Sequence, residues 1–161
     1  MKIIYFIRHA KAKKDVPSDF LRPLNKKGIV DAKALGEILN SLKISPDAIY
    51  TSSAIRALST AKIIAEKLNL DINLVESDEL YEFDGQKLLN FILNLKEGGQ
   101  EIFIIGHNPA ITEVCEILSD SVIGNLPTCA LFAIEFNTNS FNNITQRSGK
   151  VKLYNYPQMN D

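Results

Sequence analysis

Short runs of β-branched and aromatic residues alternate along this chain with longer segments whose apolar residues recur at helical spacing. That alternation restricts the fold to an α/β architecture. Lys2 to Ile7 is too short for a helix and reads as a buried strand, as do Ala48 to Thr51 and Glu101 to Ile105. A shorter extended piece is expected around Ile72 to Val75. Between these runs, Leu35, Ile38, Leu39 and Leu42 fall at i, i+3, i+4 and i+7, the signature of an amphipathic helix. Ala61, Ile64, Ala65 and Leu68 repeat it, as do Leu88, Phe91, Ile92 and Leu95, and then Ile111, Val114, Cys115 and Leu118. Ser53 is the expected N-cap of the second helix. Gly98-Gly99 is expected to stop the third, and Asn108 to cap the fourth with Pro109 in its first helical position. The tail changes character, with a strand over Cys129 to Phe136, a polar turn over Asn137 to Asn143, and strands around Ser148-Gly149 within Ile144 to Tyr154. The pattern predicts a three-layer α/β/α sandwich around a mostly parallel sheet, with an antiparallel C-terminal edge. At 161 residues, the whole of 1–161 is expected to form a single domain.

Charge and apolar content narrow the function. Eighteen basic residues against nineteen acidic give a net charge of −1, which does not supply the basic field that nucleic acid or an anionic membrane requires. No apolar run approaches the roughly 20 residues of a membrane span, and Arg8 interrupts the first run too early for a signal peptide. A cytoplasmic, monomeric protein is expected, with Cys115 and Cys129 as reduced structural thiols.

The chain has two histidines, and each directly follows a predicted buried strand, His9 after Arg8 and His107 after Gly106. Ligands of open α/β sheets bind in the crevice outside the carboxyl ends of the strands, so both imidazoles are expected to face one site. Arginine is scarce, at Arg8, Arg22, Arg56 and Arg147, and its planar fork suits phosphate or carboxylate. Arg8 adjoins His9, and Arg56 is expected in the first turn of a helix, where a cation opposes the helix dipole unless an anion sits nearby. Arg22 lies in the loop after the first strand, free to reach the same crevice. A zinc set, Cys-x-x-Cys, the dinucleotide and P-loop glycine patterns and the Gly-x-Ser-x-Gly elbow are all missing. Two imidazoles and two or three guanidiniums make an oxyanion pocket, most simply one for a phosphoryl group, with no metal and no cofactor.

These residues also fall in a familiar order. Arg8-His9-Ala10 resembles the Arg-His-Gly signature of the histidine phosphatase superfamily, whose fold is phosphoglycerate mutase-like. Thr51 to Ala61 is similar to the family's second block, with Arg56 at its phosphate-binding arginine, and Gly106-His107-Asn108-Pro109 to the block carrying its second histidine. Asp19 to Leu24, before Gly28, resembles the short, SixA-like branch of phosphohistidine phosphatases. Ala10 departs from the signature glycine, but a small residue keeps the backbone approach open. The resemblance implies that His9 is a nucleophile that is transiently phosphorylated, and that Arg8, Arg56, His107 and Arg22 bind the phosphoryl oxygens without a metal. His107 is expected to stay protonated once phosphate is bound. An alcohol phosphate needs a general acid; Glu82 is the first candidate, with Glu79 and Asp19 behind it. A phosphohistidine needs little acid help, because an imidazole is a good leaving group. No room remains for a long lid between the acidic stretch and Leu88, which favours a residue displayed on a phosphoprotein such as a histidine phosphotransfer protein. The alternatives are a small phosphorylated metabolite, sugar or nucleotide, and a phosphate-recognition module without turnover.

Overall fold

A computed structural model describes residues 1–82, 84–96 and 99–157. The strands are β1 (Lys2–Arg8), β2 (Ala48–Ser52), β3 (Leu74–Ser77), β4 (Glu101–Gly106), β5 (Leu131–Phe136) and β6 (Gly149–Asn155). They form one sheet in the order β3-β2-β4-β1-β5-β6. Pairing is parallel from β3 through β2 and β4 to β1, and antiparallel from β1 to β5 and β5 to β6. The expected antiparallel edge is therefore present, but β6 is a single strand. The residues before it, up to Ser148, form a short 3-10 turn and bends.

Side-chain alternation along the strands builds two cores. Ile4 and Phe6 of β1 point with Ile102 and Ile104 of β4 toward α3 (Gly85–Leu93) and α4 (Ala110–Ser119), where Leu88, Ile92, Ile111, Val114 and Leu118 meet them. Tyr5 and Ile7 point with Phe103 and Ile105 to the other face, against Ala32, Leu35 and Leu39 of α1 (Lys26–Ser41) and Ala57, Ala61 and Ile64 of α2 (Ile55–Lys67). The result is the three-layer α/β/α sandwich. β1 and β4 are almost fully buried because helices cover both faces of a parallel sheet, which is why they read as unbroken apolar runs.

Three local expectations are corrected. α2 begins at Ile55 behind Ala54, with no side-chain cap; Ser53 instead hydrogen-bonds the Asp78 carboxylate, so its hydroxyl is used between segments. α4 begins at Ala110 behind a cis Asn108-Pro109 bond, and Asn108 is not its N-cap: its Oδ1 accepts from the Thr112 hydroxyl, while its amide reaches Asn125 and Leu126. α3 ends at Leu93, with the Asn94 N–H bonded back to the last turn, so the helix stops before the glycine pair; Gly98 lies outside the described residues. Among the described residues no helix is long and apolar enough to cross a membrane.

Candidate active site

Parallel strands end together, and here the carboxyl ends of β1, β2 and β4 bring Arg8, Ser52 and Gly106 to one edge of the sheet. His9 follows β1 and is fastened on both sides. Its N–H donates to the Gly106 carbonyl at 3.1 Å, and the Cys129 N–H donates to the carbonyls of Arg8 and His9. His107 follows β4, so the two rings meet with centroids 5.0 Å apart. Both are buried. The cleft they line, about 360 Å³, is also lined by Arg8, Arg22, Arg56 and Asp19.

The hydrogen bonds assign the tautomers. His9 Nδ1 lies 2.8 Å from the Ala10 carbonyl oxygen, which can only accept, so Nδ1 carries the proton and Nε2 keeps its lone pair. The Arg56 Nε–H points at that lone pair from 3.3 Å. His107 Nδ1 faces Arg56 Nη2 at 3.4 Å, and its Nε2 donates to the Ser52 hydroxyl at 2.8 Å. Burial, then the Arg56 and Arg8 guanidiniums, push His9 down to about 4, against the opposing pull of the Ala10 carbonyl. Burial, His9 and Arg56 push His107 down to about 3. Both rings are therefore neutral among these groups. The protonated His107 expected beside phosphate requires that anion's own charge.

Arg56, 3% exposed, is the hub of the cleft. It sits in the first turn of α2, a turn without an acidic residue, and its Nη1 and Nη2 donate to the Asp19 carbonyl at 2.7 Å and carboxylate at 3.0 Å. Its own carbonyl accepts from the Thr60 hydroxyl, whose oxygen in turn accepts the Ala10 N–H, tying α2 to the nucleophile-bearing turn. Arg8 Nη1 donates to the Leu126 carbonyl at 2.8 Å, while its Nε is buried with no acceptor among the described residues. An orphaned guanidinium N–H beside two imidazoles and a second guanidinium is the chemistry of an oxyanion site. Burial and the neighbouring Arg56 charge lower the Arg8 pKa, the cost of crowding cations there.

Of the three candidate acids, only Asp19 reaches the imidazoles' cleft. Glu82, the first choice from sequence, lines a different cavity with Asp78, Glu79, Lys87 and Asn90, and pairs with Lys87 at 3.5 Å. The reason is local: Glu82 follows a 3-10 turn over Asp78–Tyr81 that turns Tyr81, not Glu82, toward the histidines. Tyr81 packs edge-on against His107 at 5.6 Å and donates its hydroxyl to Asp19 Oδ2 at 2.7 Å. Partial burial acts to raise the Asp19 carboxyl, but hydrogen bonds from Tyr81, Arg22 and Arg56 outweigh it and lower it to about 2. Arg22 meets Asp19 Oδ1 at 3.1 Å, so it is in the cleft as expected. Arg147 is elsewhere, paired with Asp120 at 3.2 Å. Sequence reasoning missed Tyr81 and Ser52; the end of β2 marks Ser52 by the strand-end rule, whereas nothing in the sequence marks Tyr81. Among the described residues no group of three or more His, Cys, Asp or Glu is placed to hold a metal ion.

Comparison with known proteins identifies the family and the fold. The family model for the histidine phosphatase superfamily (branch 1) matches residues 4–91. Phosphohistidine phosphatase SixA of Escherichia coli (strain K12) is 26% identical over 110 residues, covering 67% of this chain and 68% of its own. An uncharacterised chloroplastic protein of Arabidopsis thaliana is 30% identical over 157 residues, covering 91% of this chain and 72% of its own. A solved structure of protein histidine phosphatase SixA in complex with tungstate superposes with a TM-score of 0.84 over 99% of both chains at 20% identity.

Proposed function

Because the chain belongs to the histidine phosphatase superfamily, in its SixA-like branch, we propose that it hydrolyses phosphohistidine on a phosphoprotein through a phosphorylated His9, without a metal. The observation that carries this reading is the fixed tautomer of His9. A ring whose Nδ1 proton is held by the Ala10 carbonyl presents an unprotonated Nε2 lone pair to the cleft that the guanidiniums line. In the first step Nε2 attacks phosphorus in line, forming one P–N bond while the P–N bond to the substrate ring breaks. Arg8, Arg56, Arg22 and His107 neutralise the phosphoryl oxygens as charge shifts in the transition state. In the second step water attacks the phosphorus, the bond to His9 breaks, and inorganic phosphate leaves.

The acids favour this substrate class. An alkoxide leaving group needs a protonated donor at neutral pH. Asp19 is ionised there, and Glu82 is turned into another cavity. A substrate imidazole protonated on its other ring nitrogen departs neutral and requires no proton from the protein. Phosphohistidine on a second protein also suits a cleft whose lining includes the exposed Lys11 and Lys14. The test is phosphate release from a phosphohistidine-bearing carrier protein in the presence of chelator. Release is expected from wild type and at least a thousandfold less from His9→Ala, an order of magnitude typical of losing a covalent nucleophile. Hydrolysis of alcohol phosphates in preference to phosphohistidine would overturn the assignment.

A further inference from the structure

The loop between β1 and α1 carries a charge that its surroundings do not call for. From Lys11 to Lys27 there are six basic residues (Lys11, Lys13, Lys14, Arg22, Lys26 and Lys27) against Asp15 and Asp19, in a chain whose net charge is −1. Asp19 is engaged by Arg22 and Arg56, and Lys27 by Asp31, but the Lys11, Lys13, Lys14 and Lys26 side chains are exposed. Lys26 and Lys27 open α1, whose first turn has no acidic residue, so two cations stand at the positive end of a helix dipole. Local stability argues against that placement.

The segment is also built rather than loose. Ala12 and Leu24 form an antiparallel bridge; the Lys13 N–H donates to the Pro23 carbonyl and the Asn25 N–H to the Lys11 carbonyl. Gly28 packs so closely under this turn that a Cβ there would lie 2.0 Å from the Lys11 carbonyl oxygen. Arg22 Nε donates to the Lys13 carbonyl at 2.7 Å, which joins the ledge to the cleft. Lys11, Ala12 and Lys14 line the mouth of that cleft, and Leu21, 56% exposed, stands between Asp19 and Arg22 on the same loop. A backbone-pinned loop that carries exposed lysines and one exposed leucine beside the cleft has the composition of a recognition surface, where steering and register come from charge and anchoring from the apolar contact.

We propose that this ledge, Lys11 to Lys27, docks an acidic surface of the substrate protein, so that carboxylates flanking the phosphorylated residue are read by the lysines while the phosphoryl group enters the cleft. The inference rests on the phosphohistidine reading above and extends it to the partner's chemistry. Lys13 and Lys26 meet the partner rather than the phosphoryl group. Charge reversal there is expected to change kcat/KM for a protein-like substrate and leave a small one unaffected.

Two synthetic peptides of equal length, each with one phosphohistidine, one flanked by glutamates and the other by lysines, test the ledge alongside phosphoramidate as a small substrate. At low salt the glutamate peptide is expected to have at least tenfold higher kcat/KM, a preference that fades as salt screens it. Lys13→Glu combined with Lys26→Glu is expected to erase or invert the preference without altering phosphoramidate hydrolysis. Equal turnover of the two peptides, or a preference the reversed variant retains, overturns the ledge and leaves the phosphohistidine reading standing. Binding of the unphosphorylated glutamate peptide, followed by fluorescence anisotropy, separates the reverse case. If neither peptide is hydrolysed, binding that the double reversal abolishes supports the ledge although the phosphohistidine reading falls, and no binding overturns both.

Discussion

A neutral imidazole in a cationic cleft is the central residue-scale fact. His9 and His107 are held neutral by burial and by guanidiniums, so each binds its proton well below the ordinary histidine range. For activity, the His9 Nε2 lone pair persists until pH falls through about 4, and the acid limb of kcat/KM on phosphohistidine is expected there rather than near 6.5. For stability the sign is fixed by proton counting. Between the unfolded value of roughly 6.5 and the folded value the unfolded chain binds more protons, so stability rises with pH across that window and is lost as pH falls through it. His9 alone amounts to about 3 kcal/mol over its range down to about 4. Urea midpoints taken from pH 7 to 4 check it; a flat profile would show that the rings are not held neutral. Asp19 acts in the same direction at lower pH, its carboxylate held ionised down to about 2.

At the scale of elements, the site depends on how loops are seated on strands and helices. Gly28 shows this most sharply. Alanine is the better helix former by about 1 kcal/mol, so propensity alone favours Gly28→Ala in α1. A Cβ 2.0 Å from the Lys11 carbonyl oxygen meets a group that already accepts from the Asn25 N–H, next to the Ala12–Leu24 bridge, and it must displace that turn. Overpacking of this kind costs about 1–3 kcal/mol, so the substitution is expected to destabilise on balance and to weaken turnover by shifting the loop that carries Asp19 and Arg22. Thermal unfolding and kcat/KM of Gly28→Ala measure both. Elements of this kind were largely legible in the sequence, because β1, β4 and the helices announce themselves by periodicity. Their ends were not. Ser53 and Asn108 are good capping residues by type, yet each finds a partner in another segment, Asp78 for one and Asn125 and Leu126 for the other.

For the molecule as a whole, two apolar layers enclose one sheet and hold the thiols out of reach. Cys115 is fully buried and Cys129 is 1% exposed. Burial pushes the Cys129 thiol up to about 12 and Cys115 well above its ordinary value, so neither supplies thiolate at neutral pH. Alkylation by iodoacetamide is expected only at the rate of unfolding, accelerating in parallel with urea denaturation; labelling of either thiol at the rate of a free cysteine in native buffer would contradict the packing. The sequence by itself determined the alternation of strands and helices, the sandwich and its antiparallel edge. It also pointed to one edge of the sheet for both histidines and for Arg8, Arg22 and Arg56, because a strand's end is a property of the chain's own periodicity. Which acid reaches the cleft was decided only in three dimensions. Asp19, Glu79 and Glu82 are equivalent as residue types, and a single 3-10 turn sends Tyr81 toward the imidazoles and Glu82 away to Lys87. The direction of a side chain after an irregular turn depends on what the rest of the fold packs against it, and no local pattern encodes that.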